Sequence, residues 1–193
     1  MFDGIDDYVE LPTWEMGGAT SIEVYAKVAA LTNYATLFGS HDHGDAFSGQ
    51  LALFLQKKTT KLTLQIRSSG NASSAESNDI KRSLKAPASG IKLGVWSHIV
   101  STVGSTGVLE IFIDGISVAS DGSDGIALVS KIRTTHSIGV STWFANQGYF
   151  QGTIRYLGIY DRALALEDQA ITALKVGLAG ASFPHSHACL ILT

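Results

Sequence analysis

The sequence is poor in cysteine, in proline and in charge. Its 193 residues include one cysteine, Cys189, and 3 prolines. A single cysteine permits no internal disulfide, so a hydrophobic core must hold the fold, and a chain of this length can build one. Charged residues make up 16% of the chain, against about 25% in an average protein. The net charge of −3 excludes the strongly cationic surface that nucleic-acid binding requires.

Long apolar runs are also absent from the sequence. No run approaches the ~20 apolar residues of a membrane-spanning helix. The start, Met1-Phe2-Asp3-Gly4, lacks the basic residues and apolar stretch of a signal peptide. Disorder is excluded as well, because 45% of the residues are hydrophobic. Together with 20 glycines, these features favour one folded domain that is rich in turns.

Alternation of apolar and polar residues predicts that most of the chain is β-strand. In Ser21–Val28 the even-numbered positions are apolar, and Lys61–Ser68 repeats the pattern. Trp96–Val103 carries apolar residues on both faces, which favours a central strand. These segments predict a β-sheet protein.

Two further patterns complete the predicted architecture. Asp114-Gly115 lies between two apolar runs and predicts a hairpin with a two-residue turn. Ala165–Gly177 has apolar residues at the spacing of three and four that is typical of a helix. About nine to thirteen strands and one short helix near the C-terminus predict an all-β fold, a two-sheet antiparallel jelly-roll sandwich.

Three ordered segments carry a family resemblance. They are Phe2–Pro12, then Trp96–Val100 with Leu109–Gly115, and finally Tyr149–Ile154 with Ile159–Leu164. In this order, over residues 2–178, the chain resembles the laminin-G-like branch of the concanavalin A-like lectin/glucanase superfamily. The resemblance implies a pentraxin-like jelly roll whose first strand pairs near its last. We expect this domain over residues 1–180 and a tail, or the start of a linker, over 181–193.

The resemblance implies a lectin-like function without catalysis. We expect a carbohydrate- or glycoprotein-binding module of a larger extracellular or cell-surface protein, with its signal peptide upstream and a role in cell adhesion. The alternative is a structural module that assembles neighbouring domains or subunits into a complex or filament. A polysaccharide lyase or glycoside hydrolase of the same fold is a third alternative. The Glu-x-Asp-x-x-Glu pattern of the superfamily's glucanases does not occur in the sequence, which favours a binding function.

The acidic opening is a candidate metal site. Asp3, Asp6 and Asp7 lie close together, and Ca²⁺ takes six to eight oxygen ligands. The resemblance implies a structural calcium here, with an acidic residue after the last Gly-x-Ile, but that position holds Arg155. A guanidinium cannot bind a cation, although it can pair with a carboxylate. Three interpretations stay open: structural calcium at Asp3 and Asp6, their ion pair with Arg155, and a turn with solvated carboxylates.

One candidate binding loop contains His41, Asp42, His43 and Asp45. Two histidines separated by one residue lie on the same side of an extended segment, and imidazole with carboxylate suits Zn²⁺ or another transition metal. The same side chains can bond the hydroxyls of a glycan. A polar loop without a ligand has a similar composition, so all three interpretations stay open.

The second candidate loop contains Trp143, Asn146, Gln147 and Tyr149. Aromatic rings stack on the C–H faces of sugars, while amides bond sugar hydroxyls. The alternative is that the aromatic residues of this loop fold over the edge of the core. Trp14 and Trp96 are interpreted as core residues. We expect a glycan to contact both loops, with aromatic rings stacking and with amides and carboxylates bonding hydroxyls.

Overall fold

The computed structural model describes residues 1–41, 49–68, 80–88, 90–122, 127–141, 148–165, 167–168 and 189–191. These residues contain fifteen β-strands. The strands are β1 (Phe2–Asp3), β2 (Val9–Leu11), β3 (Trp14–Gly18), β4 (Thr20–Ala30), β5 (Thr36–His41), β6 (Leu51–Leu55), β7 (Leu62–Ser68), β8 (Ile80–Lys85), β9 (Trp96–Val103), β10 (Leu109–Ile113), β11 (Ile116–Asp121), β12 (Leu128–Arg133), β13 (Thr135–Ile138), β14 (Gln151–Tyr160) and β15 (Cys189–Ile191). The number exceeds the predicted range because strands of two to four residues are too short to show alternation in a sequence.

The strands form two antiparallel sheets. Sheet A has the order β1-β14-β4-β9-β10-β11, with β15 also paired to β14, and sheet B has the order β2-β13-β5-β6-β7-β8. β3 and β12 form a separate two-stranded pair. This arrangement confirms the predicted all-β sandwich, and the position of β9 between β4 and β10 confirms that it is a central strand.

The core lies between the two sheets. Ile22, Val24, Ala26 and Val28 of β4 are buried in it, as their alternation predicts. Sheet B contributes a matching set of buried residues, which includes Phe38, Leu51, Leu53, Leu64 and Ile138. Each such large apolar side chain stabilises the fold by about 1.5–3 kcal/mol. The odd-numbered residues of β4 point away from the core, to what we call the outer face of sheet A.

The predicted turn and the pairing of the opening segment are both present. Asp114 and Gly115 have φ angles of 52° and 78°, as a two-residue hairpin turn requires. Phe2 of β1 pairs with Gly152 of β14, and its ring meets Phe150 edge to face at 5.9 Å. The first strand is therefore fixed beside the last long strand.

The C-terminal region is described only in part. Glu167 and Asp168 are helical, and the rest of the helix predicted for Ala165–Gly177 lies outside the described residues apart from Ala165. The predicted domain boundary at residue 180 also lies outside them and stays a prediction. No helix in the described ranges is long and apolar enough to cross a membrane.

Candidate functional site

The first predicted loop is described only at its start. His41 ends β5, is half-buried and lies opposite Thr135 of β13. Asp42, His43 and Asp45 lie outside the described residues. Their predicted roles in metal or glycan binding therefore stay predictions.

Of the candidate residues of the second predicted loop, Tyr149 alone is described. Tyr149 is half-buried, and its carbonyl accepts a hydrogen bond from the Thr32 hydroxyl. Trp143, Asn146 and Gln147 lie outside the described residues. The predicted stacking and amide contacts of this loop are likewise still predictions.

The described ends of the two loops do not converge. The carbonyl of Gly148 accepts the Thr36 N–H at 3.1 Å, at the beginning of β5. His41 lies at the other end of the same strand, about 17 Å away at a rise of ~3.3 Å per residue. Gly148 and His41 therefore lie at opposite ends of β5.

An aromatic stack lies beside His41, in the interior of the sandwich. The imidazole of His136 stacks on Trp14, with ring centroids 3.4 Å apart, and lies 6.4 Å from the ring of Phe38. Burial, together with the positive charge of Arg133, lowers the pKa of His136 from 6.5 to about 4. His136 is therefore neutral at pH 7 and donates from Nε2 to the carbonyl of Arg133 at 3.1 Å. Trp14 packs against the core, as predicted.

Stability is expected to fall with acidification because of His136. The unfolded chain protonates this histidine near pH 6.5 and the folded chain only near pH 4. Between these pH values the unfolded state binds one proton more than the folded state. The contribution of neutral His136 to the free energy of unfolding is therefore complete above pH 6.5, and about 3 kcal/mol of it is lost when the pH falls to 4. Urea denaturation at pH 7 and pH 4.5 should show a larger loss for wild type than for His136→Gln. Equal losses in the two proteins would contradict the assignment.

The acidic opening forms a turn that is closed by its own carboxylates. Oδ1 of Asp3 accepts the N–H groups of Ile5 and Asp6 at 2.8 and 3.4 Å. Oδ2 of Asp7 accepts the Asp3 N–H at 2.9 Å. The backbone hydrogen bonds, led by that from Ile5, lower the pKa of Asp3. Residues 3–7 therefore have the geometry of a turn, which is one of the three interpretations of this segment.

The same turn is compatible with a cation in part. Carboxylate oxygens of Asp3, Asp6 and Asp7 lie within 4.8 Å of one another, and all three residues are exposed. They supply some of the six to eight oxygen ligands that Ca²⁺ needs. Two of the six carboxylate oxygens of these aspartates already accept hydrogen bonds from backbone N–H groups. Structural calcium at Asp3 and Asp6 stays a prediction.

Arg155 does not pair with the opening carboxylates. It is exposed, and within the described ranges it forms no ion pair with Asp3 or Asp6. Oδ1 of Asp3 accepts backbone N–H groups in place of a guanidinium. Arg155 instead lines a cleft together with Asp7.

This cleft, which we call the Trp96 cleft, has a volume of about 610 Å³. It opens where the turn after β1, the start of β9 and the start of β14 meet. Its wall includes the aromatic rings of Phe2, Tyr8 and Trp96 and the polar side chains of Asp7, Thr153 and Arg155. Tyr8 is 51% exposed. The cleft thus combines an exposed ring with an acid, a hydroxyl and a cation.

Trp96 belongs to this cleft and not to the core. It is half-buried on the outer face of sheet A, where it pairs with Lys27. Its indole stacks on the ring of Tyr25 at 4.9 Å, and Nζ of Lys27 lies 5.3 Å from the ring centroid. The interpretation of Trp96 as a core residue was wrong, because β9 turns Ser97 and Ile99 toward the core and Trp96 away from it. These contacts fix the indole as a rigid wall.

A buried polar group adjoins the cleft on the same face, and we call it the Glu23 network. The Glu23 carboxylate, 0% exposed, receives His98 Nε2 on Oε1 at 2.7 Å and the Tyr160 hydroxyl on Oε2 at 2.6 Å. The Tyr156 hydroxyl lies 2.6 Å from that of Tyr160. Gly158 lies between the two tyrosines, and a Cβ there would come within 2.5 Å of the Tyr156 hydroxyl. His98 is packed and hydrogen-bonded, as the sequence indicates.

Comparison with known proteins is consistent with this geometry. A sequence model of the concanavalin A-like lectin/glucanases superfamily matches residues 3–168. A search of curated protein sequences found no match. Among solved structures, the CBM40 of the Ruminococcus gnavus IT-sialidase, bound to α2,3-sialyllactose, is similar with a TM-score of 0.62 and 14% identity, over 86% of this chain and 96% of that one.

Two further solved structures show the same fold. Domains LG4-5 of the mouse laminin α1 chain have a TM-score of 0.59 and 15% identity, over 86% of this chain and 41% of theirs. The binding domain of Paraclostridial mosquitocidal protein 1 has a TM-score of 0.60 and 12% identity, over 89% of this chain and 42% of its own. At these identities the similarity establishes the jelly-roll architecture.

Proposed function

Since the chain belongs to the concanavalin A-like lectin/glucanase superfamily, we propose that it is a non-catalytic carbohydrate-binding module that holds a glycan in the Trp96 cleft. The observation that carries this proposal is the exposed ring of Tyr8 beside the polar groups of Asp7, Thr153 and Arg155. We further propose that the module acts outside the cell, where glycans are abundant.

The chemistry of the cleft supports sugar binding. A pyranose has apolar C–H faces and a rim of hydroxyls, so its site needs a flat ring and converging polar groups. Tyr8 provides the accessible ring, and Trp96, held by Tyr25, provides the wall against which a sugar can pack. Asp7 accepts hydrogen bonds from hydroxyls, while Arg155 donates them. A volume of about 610 Å³ is within the range of small-ligand sites.

The carboxyl group of Asp3, in the turn beside the cleft, is unsuited to act as the acid of a glycosidase. A glycosidase needs one carboxyl that stays protonated at its working pH, which requires a raised pKa. The pKa of Asp3 is lowered, because the Ile5 N–H stabilises its charged form. The structural neighbour from Ruminococcus gnavus is itself a sialidase module bound to a saccharide, which also favours a binding role.

The Tyr8→Ala variant tests the location of the site. We expect wild type to bind glycans on an array, and Tyr8→Ala to bind the best of them at least about 10-fold more weakly, equivalent to 1.4 kcal/mol. The loss follows from removing the ring that stacks on the sugar. Isothermal titration with the selected glycan measures it.

Ile116→Ala is the matched control, because Ile116 is also exposed, at 67%, but lies at the turn after β10. It should bind as wild type does. Wild type that binds no glycan would overturn the proposed function. Normal binding by Tyr8→Ala would move the site away from this cleft.

A further inference from the structure

The position of Arg155 results from an irregularity in β14. Ile154 pairs with Ala26 and Tyr156 with Tyr25, so Arg155 is an extra residue in a β-bulge. A bulge redirects the side chain of its extra residue, and here the guanidinium is exposed at the wall of the Trp96 cleft. It forms no ion pair within the part of the chain that the structure describes.

A second cation lies at the Trp96 ring, which lines the same cleft. Lys27 is half-buried on the outer face of sheet A and pairs with both Thr153 and Trp96, which line the cleft. Its Nζ lies 5.3 Å from the Trp96 ring centroid, a cation–π distance that holds the charge at the cleft border. Arg155 in the lining of the cleft and Lys27 at its Trp96 ring are thus two positive charges at this site, in a chain of net charge −3.

The cleft also carries negative charge. Asp7 lines it, and Asp3 and Asp6 lie beside Asp7 in the opening turn. The cleft thus carries both signs of charge, with carboxylates at the turn after β1, Arg155 on β14 and Lys27 on β4. A ligand that carries an anionic group and free hydroxyls complements both kinds of group, since carboxylates accept from hydroxyls and guanidinium binds oxyanions in a fork.

We propose that the Trp96 cleft binds acidic saccharides, with the anionic group at Arg155 and Lys27 and the sugar hydroxyls at Asp7. This inference rests on the proposed function and narrows its ligand class. The anionic group is a carboxylate of a sugar acid or a sulfate ester, since both present oxygens that a guanidinium bonds. It also explains what an arginine does at a position where the family resemblance implies an acidic residue.

An array of matched glycans tests this inference. It carries sialylated, uronic-acid and sulfated glycans, each beside its neutral core, and the carboxylated and sulfated arms separate the two sources of charge. Wild type should bind an acidic glycan at least about 10-fold more tightly than its neutral core, equivalent to 1.4 kcal/mol. Raising the salt concentration should reduce this preference, because exposed charges are screened.

Variants locate the preference at Arg155. Arg155→Gln should lose most of the preference for acidic glycans and keep the binding of their neutral cores. Arg155→Lys should keep part of it, because the charge remains without the fork. Lys85→Gln, which removes an exposed cation on β8 in sheet B, should leave it unchanged.

The failures of the two proposals are distinguishable. Tyr8-dependent binding without preference for acidic glycans would overturn the acidic ligand class and leave the proposed function intact. An acidic preference that persists in Arg155→Gln would overturn the role of Arg155. Absence of any glycan binding would overturn both proposals.

Discussion

Replacing Glu23 by leucine is expected to lower the free energy of unfolding by about 2–6 kcal/mol, because two hydrogen bonds lose their acceptor at a cost of about 1–3 kcal/mol each. The Glu23 carboxylate is the acceptor for His98 Nε2 and for the Tyr160 hydroxyl. Leucine leaves the buried His98 Nε2 without this acceptor, while the half-buried Tyr160 hydroxyl keeps its contact with the Tyr156 hydroxyl. Urea denaturation at pH 7 measures the change.

Two further variants show that the effect belongs to the Glu23 network. Glu23→Gln keeps one carbonyl oxygen as an acceptor, so its loss should be smaller than that of Glu23→Leu. Glu10→Leu makes the same change at an exposed position of β2 and should stay within about 0.5 kcal/mol of wild type. Similar losses in Glu10→Leu and Glu23→Leu would contradict the importance of the buried carboxylate.

Replacing Arg133 by methionine is expected to lower the free energy of unfolding by at least about 4 kcal/mol, because three hydrogen bonds from the guanidinium are lost and each hydrogen bond to a charged group contributes about 1.5–3 kcal/mol. Arg133 is 0% exposed. Its guanidinium donates to the carbonyls of Gly49 at 2.6 Å and Val129 at 2.9 Å, and also to that of Met16. Methionine fills similar volume but leaves these carbonyls without their donor. The Arg133 side chain therefore holds β3, β12 and the segment before β6 together.

The geometry of the guanidinium can be separated from its charge. Arg133→Lys keeps the charge but cannot reach three carbonyls in different directions, so we expect an intermediate loss. Arg162→Met is the control, because Arg162 pairs with Asp168 at the surface, where such pairs contribute at most about 1 kcal/mol. Thermal and urea unfolding of the three variants measure their losses of stability, which should be largest for Arg133→Met, intermediate for Arg133→Lys and smallest for Arg162→Met. Equal stability of Arg133→Met and Arg162→Met would refute this order.

The long β-strands could be predicted because the alternation of apolar and polar residues is a local property of the sequence. The side chains of Ser21–Val28 divide between core and outer face as their sequence indicates. The hairpin turn at Asp114-Gly115 was equally predictable, since glycine adopts positive φ without steric cost. The resemblance also led to the correct expectation that the first strand pairs near the last.

The candidate site was less predictable, and Trp96 shows why. β9 carries apolar residues on both faces, so its sequence does not indicate which face is turned to the core. The pairing of Trp96 with Lys27 decides it, and Lys27 lies on the outer face of β4. Arg155 shows a second reason, because a bulge appears only when the register of β14 against β4 is known. Trp96 can therefore be assigned to the outer face only when the pairing of β9 with β4 is known.

The sequence by itself determined the all-β fold class, the long strands and the packed, hydrogen-bonded character of His98. Only the tertiary structure decided which residues meet. The partner of His98 is Glu23, 75 residues away, and Tyr160 reaches the same carboxylate across 137 residues. Strand formation depends on neighbours along the chain, whereas a cleft or a buried network depends on sheet order and register. These are set by long-range pairing that no short stretch of sequence encodes.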